Sequence, residues 1–284
     1  MKSRAEELPD NLRQYWNELL MPVDTDIRLQ SVILSQENKD KIQTFIEENT
    51  HRKQIIEYGL HPMNRILMYG ASGTGKTYLS KALCNHLGYT MMYVDIADSL
   101  SKGNVADNIS HIFEVANYLK RCMIFLDECD SVAWSRDAKS TDGGDIRRAT
   151  NSIFQQLDQM SNDNIFVSAT NMLHRIDPAF ERRFDLKMQF KRPDTDLFET
   201  VRHFILPKFK LSDDADKTLY EILQRRVKQN TKLSYYEIQC IVERAMKKAI
   251  INNTNIVKTS DIYADFQRTM GIKIELGVDL YDEN

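Results

Sequence analysis

The chain has 284 residues, 42% of them hydrophobic, with a formal net charge of −3 and a pI near 6.1. That length can bury a substantial core as one large domain or two smaller ones, and the charge leaves no global basic field for nucleic acid or a membrane surface, only local patches. The start, MKSRAEELPDNLRQYW, has no apolar leader run, and no segment approaches the roughly 20 apolar residues that cross a bilayer. Cys84, Cys122, Cys129 and Cys240 lack CxxC spacing and fit reduced thiols, so the expected compartment is the cytoplasm and no membrane partner is expected.

In chain order, Leu8, Leu12, Tyr15, Trp16 and Leu19 recur at helical spacing, which predicts a helix over 5–20. An extended piece over 27–34 leads to Ser35 as an N-cap. The helix it opens carries Ile42, Phe45, Ile46, Ile55 and Ile56, in one or two segments, and stops at Gly59. Then RILMY (65–69), TMMYV (90–94), CMIFL (122–126), IFVSA (165–169) and LKMQF (186–190) read as strands, the first four with little polar alternation. Amphipathic segments over 105–119 and 146–160 lie between them. The fold class expected is α/β: a doubly wound, five-stranded parallel sheet, made of the P-loop kind by the GASGTGKT loop that follows its first strand, with its ligand at the carboxyl ends of the strands. Beyond Pro193 the strands are expected to cease, and helices over 194–206, 214–228, 234–252 and 258–270 form a small helical domain. The organisation is a short helical extension (1–30), a nucleotide-binding α/β domain (31–192), a helical lid domain (193–270) and an acidic tail (271–284).

Residues 70–77, GASGTGKT, satisfy G-x-x-x-x-G-K-[ST] with a strand before and a helix after. In that arrangement Gly70, Ala71, Ser72, Gly73, Thr74 and Gly75 bring backbone N–H groups close to phosphates, and the helix N-terminus adds its dipole. Lys76 reaches the β- and γ-phosphates, Thr77 supplies a hydroxyl to Mg²⁺, and Tyr78 completes the nucleotide-binding stretch. The pattern alone does not separate ATP from GTP. In CMIFLDECD, Asp127 ends a strand where a carboxylate orients a magnesium-bound water, and Glu128 is placed to polarise the attacking water; Cys129 reads as packing. Asn171, after the fourth strand, would lie beside Asp127, within reach of the γ-phosphate or the water, although a lone Asn there is also an ordinary turn residue.

These pieces continue into SATNMLHRIDPAFERRFD. The phosphate loop, the DE pair, the strand-end Asn and D-x-A-x-x-R-R together resemble the AAA+ ATPases, in the branch that includes katanin, spastin and the membrane AAA proteases, over about 32–251. The resemblance implies ATP with Mg²⁺, a homo-oligomeric ring usually of six subunits, and nucleotide bound at each subunit boundary. It implies that Arg182 and Arg183 are arginine fingers reaching a neighbour's γ-phosphate, a contribution that can reach ~10³–10⁵ in rate. VILSQENKDK resembles the segment packed against adenine. LSYYEIQCIVERAMKKAI resembles the lid helix, with Ser234, Tyr235 and Tyr236 where small residues close over the base; the two tyrosines are equally readable as core aromatics.

Departures from the family pattern bear on function. About thirty residues precede the ATPase core, so no folded adaptor domain is expected there, and no HExxH follows the lid. In DIADSLSKGNVADN, Ser101 and Lys102 precede Gly103 where related ATPases carry an aromatic pair that grips peptide. A second loop over 135–145 is glycine-containing and charged, and Arg147 and Arg148 are compatible with bracing a neighbouring site or with solvation. The leading expectation is an ATP-driven remodeller of a protein client, working with or without a separately encoded protease or adaptor. A nucleotide-gated switch or scaffold is the alternative, and a DNA-directed ATPase the weaker third, because no nucleic-acid module is evident.

Overall fold

Ile66, Leu67 and Met68 explain why the strands read as unbroken apolar runs. Ile66 and Met68 join a buried cluster with Phe45, Leu79 and Leu83, while Leu67 joins another with Ile112, Phe113 and Leu157. Side chains alternate across a strand, so a run is apolar throughout only where both faces are covered. The computed structural model describes residues 2–19, 21–22, 26–94, 105–131, 143–193, 197–212 and 233–271. They fall into two units: the described parts of Met1–Ala71 and Gly75–Phe190, and Ser72–Thr74 with the described part of Lys191–Asn284.

The first unit is built on a sheet of β1 (Met21–Pro22), β2 (Arg65–Gly70), β3 (Thr90–Val94), β4 (Cys122–Leu126), β5 (Ile165–Thr170) and β6 (Leu186–Phe190), in the order β1-β3-β4-β5-β2-β6. β2 to β6 are parallel, with Ile66 opposite both Val167 and Leu186, and Met123 opposite both Met91 and Ile165. Helices Gln36–Thr50 and Lys76–Leu87 cover one face; Asp10–Leu19, Val105–Leu119 and Gly143–Gln159 cover the other. The doubly wound, five-stranded parallel sheet is as the sequence predicts, with one addition. β1 lies antiparallel on β3, Met21 opposite Tyr93 and Pro22 opposite Met92; a two-residue backbone pairing has no side-chain period to announce it.

The predicted helix over 5–20 is two helices, Lys2–Glu6 and Asp10–Leu19. Pro9 separates them: it has no N–H for a continuing helix, while its carbonyl accepts from the N–H groups of Leu12 and Arg13, each at 2.9 Å. The piece expected to be extended over 27–34 contains a 3-10 turn, Leu29–Ser31, closed by Ser31 N–H to Arg28 O at 3.0 Å. Ser35 caps Gln36–Thr50, accepting from Asn38 N–H at 3.3 Å, and a second segment, Arg52–Glu57, ends before Gly59.

In the second unit, helices Leu197–Phe204, Tyr235–Ile251 and Thr259–Met270 share a core of Val201, Ile241, Ala245, Ile262 and Phe266. The expectation that strands cease beyond Pro193 is corrected: β7 (Lys210–Leu211) pairs in parallel with β8 (Ile256–Val257). Two-residue segments are too short for periodicity, and only Val257 and Leu211 of the four touch the core. The helix expected over 214–228, the residues Ser101, Lys102 and Gly103, most of the loop over 135–145 and the acidic tail lie outside the described residues.

Candidate nucleotide-binding site

The loop after β2 is shaped by its neighbour. A Cβ on Gly70 would sit 1.9 Å from the Phe190 carbonyl oxygen of β6, so no other residue fits there. Gly75, at φ 99°, is the left-handed N-cap that turns the chain into helix Lys76–Leu87. Lys76, first in that helix, is buried, and its ammonium donates to Gly70 O at 2.7 Å, Ala71 O at 2.9 Å and Asn171 Oδ1 at 2.8 Å. Burial holds its pKa below the usual lysine value, an effect countered by the carboxylates of Asp127, Asp130 and Glu128.

Thr77 Oγ1 donates to Asp127 Oδ2 at 3.0 Å. Asp127 follows β4 and Asn171 follows β5, and these strands are adjacent, with Leu126 opposite Ser168. The sheet therefore brings Lys76, Thr77, Asp127 and Asn171 together at the carboxyl ends of three neighbouring strands. Glu128 is exposed at φ 50°, and its N–H donates to Asp127 Oδ1 at 3.0 Å. A hydroxyl beside a carboxylate is a hard oxygen pair of the kind Mg²⁺ takes together with waters and phosphate oxygens, so Thr77 and Asp127 fit that ion.

Two residues absent from the sequence reading complete this end of the sheet. Thr170 Oγ1 donates to Asp130 Oδ1 at 2.7 Å and accepts from Met172 N–H at 2.9 Å, tying the turn that carries Asn171 to the turn after Glu128. The acid in DECD and the threonine in SATN were visible signals, but neither is a motif position. Cys129 is packing, fully buried with its thiol pushed up to about 12 by desolvation. The Tyr78 hydroxyl lies 3.0 Å from Ser31 Oγ, so the residue that ends the predicted nucleotide-binding stretch touches the turn that precedes VILSQENKDK.

Residues 66–192 match the family described as "ATPase family associated with various cellular activities (AAA)". The chain carries an AAA ATPase domain. It is 32% identical over 228 residues to the peroxisomal ATPase PEX6 of Debaryomyces hansenii, covering 76% of this chain and 19% of that protein. It is 29% identical over 245 residues to the 26S proteasome regulatory subunit 6B homolog of Dictyostelium discoideum, covering 84% of this chain and 59% of the other. With the proteasome-activating nucleotidase of Methanopyrus kandleri the identity is 28% over 267 residues, 90% of this chain and 60% of the relative. The chain thus spans between a fifth and three fifths of the length of these relatives.

In this AAA domain the two sequence-predicted arginines stand apart from the phosphate loop. Asp185, just after them, donates its N–H to Arg65 O at 3.1 Å and accepts from Arg65 N–H at 2.9 Å, at the amino end of β2. Gly70 is at the other end of that strand, roughly 16 Å away at about 3.3 Å per residue. Arg183 is held: Nη1 donates to Ala179 O at 2.8 Å, Nε and Nη2 to the two Asp158 carboxylate oxygens at 3.3 Å each, and the guanidinium lies 4.3 Å from the Phe154 ring centre. Arg182 is exposed and makes no side-chain hydrogen bond or ion pair among the described residues. The exposed Arg148 lies in helix Gly143–Gln159.

Within the second unit, Ser234 is buried at the start of helix Tyr235–Ile251, where its N–H donates to Glu237 Oε2 at 2.8 Å and its hydroxyl also meets that carboxylate. Tyr236 N–H donates to Gly73 O at 3.3 Å. Tyr236 is 63% exposed and Tyr235 half-buried, so Tyr236 is no core aromatic. Ser72 and Gly73 are exposed and Thr74 is buried.

Proposed function

We propose that the chain binds ATP at the loop 70–77 and hydrolyses it within a homo-oligomeric ring, most simply a hexamer, whose cycle remodels a protein partner. Lys76 exchanges its carbonyl and Asn171 acceptors for phosphate oxygens. Mg²⁺ at Thr77 and Asp127 would neutralise phosphate charge when bound. Glu128, exposed beside Asp127, polarises the attacking water, and Asn171 orients it. Arg182 of a neighbouring copy supplies the remaining positive charge to the transition state.

The observation that carries the shared site is the length of β2. The arginines precede its amino end and the phosphate loop follows its carboxyl end, so a subunit's own arginines are set away from its own Lys76. The names of the relatives, a peroxisomal ATPase and proteasome-regulating proteins, support a protein as the partner. The four free cysteines suit a reducing cytoplasm, and no helix among the described residues is long and apolar enough to cross a membrane.

The experiment mixes Glu128→Gln with Arg182→Ala chains, each expected to bind ATP and turn over at least tenfold more slowly. Mixing should restore part of the activity, because some boundaries then join two intact halves. No restoration, with wild-type turnover independent of protein concentration, would mean a self-contained monomer. A second reading, a nucleotide-gated switch that does not thread its partner, is favoured by one feature: Ser101 and Lys102 stand where an aromatic pair would grip peptide. Non-directional apolar contact holds diverse side chains, and a hydroxyl and a mobile ammonium do not supply it. Robust unfolding of a generic tagged substrate, unchanged by Lys102→Ala, would dismiss the switch.

A further inference from the structure

At the amino ends of the parallel strands, away from the phosphate loop, the first unit has a half-open cleft of about 770 Å³. Tyr89, Arg121 and Asp163, which line it, stand immediately before or just ahead of β3, β4 and β5. Five arginine and lysine side chains face it, Arg4, Arg52, Lys53, Lys120 and Arg121, against one carboxylate, Asp163. In a chain of net charge −3 this is a concentrated positive site.

Arg52 is the decisive residue. It is 92% buried (8% exposed). Its Nη2 donates to Asn49 Oδ1 at 2.6 Å, but Nε and Nη1 are buried with no hydrogen-bond partner. The Tyr89 phenol and the Asp163 carboxylate face the guanidinium and favour its charge, yet Nε and Nη1 stay without a hydrogen bond of good geometry. Desolvation is the largest influence and holds the Arg52 pKa below the usual arginine value, against the opposing pull of Tyr89 and Asp163. A buried guanidinium with two idle donors is a costly arrangement, and an anion entering the cleft would satisfy both donors.

The surroundings are arranged in the same sense. Lys120 and Arg121 are consecutive non-glycine residues in left-handed backbone, at φ 56° and 51°, and turn the chain from helix Val105–Leu119 into β4 at the wall of the cleft. Arg121 is fixed by Nη2 to Leu87 O at 3.0 Å and lies over the Tyr89 ring at 5.3 Å. Lys120 reaches Asp163 only at 3.8 Å, and Lys53 has no ion pair among the described residues. Guanidinium forks match phosphate oxygens in pairs, and the volume is that of a small-molecule site.

We infer that this cleft binds a small organic polyphosphate, a molecule carrying two or more phosphate groups, with the idle Nε and Nη1 donors of Arg52 as its anchor and Lys53, Lys120 and Arg121 as its remaining cationic contacts. The site is separate from the phosphate loop and does not depend on the proposed ATPase cycle.

The test is calorimetric titration of the full chain with sodium tripolyphosphate and, separately, inositol hexakisphosphate, after saturation with ADP so that the loop 70–77 is filled. Saturable binding near one per chain is expected for at least one probe, weakened tenfold or more by Arg52→Gln and several-fold by Arg121→Gln. Without the anion, Arg52→Gln should melt no lower than wild type, because it removes an unpaired buried charge; with it, only wild type should gain melting temperature. If Arg52→Gln fails to fold, Arg121→Gln and Lys53→Gln decide the matter. Absence of binding, or binding these variants leave unchanged, overturns the site. Tighter, Arg52-dependent binding of a poly-glutamate peptide would overturn the phosphate class.

Discussion

Lys76 Nζ lies 2.8 Å from Asn171 Oδ1, linking the helix after the phosphate loop to the turn after β5. The ammonium is parked on acceptors that a phosphate would replace, so removing one acceptor should do little to binding. Asn171→Ala is expected to change ATP affinity by less than about threefold and to lower turnover by at least tenfold, whereas Lys76→Ala should abolish binding. Equal loss of binding in both would place Asn171 among the binding groups instead.

The direction of the Lys76 pKa sets a pH test. Burial lowers it from 10.5 in the free chain, and only the charged ammonium attracts phosphate. ATP affinity should therefore begin to fall at a pH below 10.5 as the lysine loses its proton, and the weakening should grow steadily with pH. Dissociation constants measured from pH 7 to 10.5 check this; an affinity flat throughout would show that Lys76 keeps its proton.

Arg182 and Arg183 are adjacent in sequence and unlike in structure. Arg183 carries an ion pair with Asp158 and a stack on Phe154, each of which typically stabilises by under ~1 kcal/mol. Arg183→Ala is expected to cost about 1–2 kcal/mol of stability as well as turnover, while Arg182→Ala should leave the melting temperature within about 0.5 kcal/mol equivalent and lower turnover strongly. Thermal melts beside steady-state rates distinguish them. Matching melts and matching rates would return both residues to one shared role.

Much of this was legible because burial on two faces leaves a plain mark. TMMYV, CMIFL and LKMQF became β3, β4 and β6 without a residue's change, and 105–119 became a helix over the same span. What escaped has physical causes. β1, β7 and β8 are two-residue backbone pairings with no period to detect. Pro9 did advertise the break in the first helix, and the apolar spacing of Leu8 and Leu12 on either side masked it. At the site, the loop and the DE pair are motifs with fixed spacing, whereas the Thr170–Asp130 bond joins residues 40 apart that only strand adjacency brings together. Arg52 reads as one more charge on a polar helix; its burial follows from packing that no local pattern encodes.

Ser234 begins helix Tyr235–Ile251 with Glu237 three residues on, a reciprocal cap. Ser234→Ala should cost about 1 kcal/mol, read as a lower midpoint in chemical denaturation. If the serine served nucleotide alone, stability without nucleotide would be unchanged and only affinity would move.

The thiols give a second pH dependence, of known sign. Cys84, Cys122 and Cys129 are buried, and desolvation raises each from 9.0 to about 12. Cys84 Sγ donates to Tyr89 O at 3.2 Å and Cys122 Sγ to Lys120 O at 3.5 Å, so both are held in the protonated form. At pH 8 a thiol of pKa near 12 is about 10⁻⁴ thiolate, and the thiolate is the reactive species. In the native protein a maleimide should therefore label the half-buried Cys240 first, with the other three reacting only after denaturation. Because the unfolded chain ionises its thiols at lower pH than the folded one, the stability they contribute is complete below about 9 and is lost as pH rises towards 12. Melting temperatures from pH 7.5 to 10.5 should decline, and Cys84→Ala or Cys122→Ala should flatten the part of that decline above pH 9. Labelling of all four thiols at equal rates in the native protein, with no flattening in either variant, would show that these sites open to solvent far more readily than their burial implies.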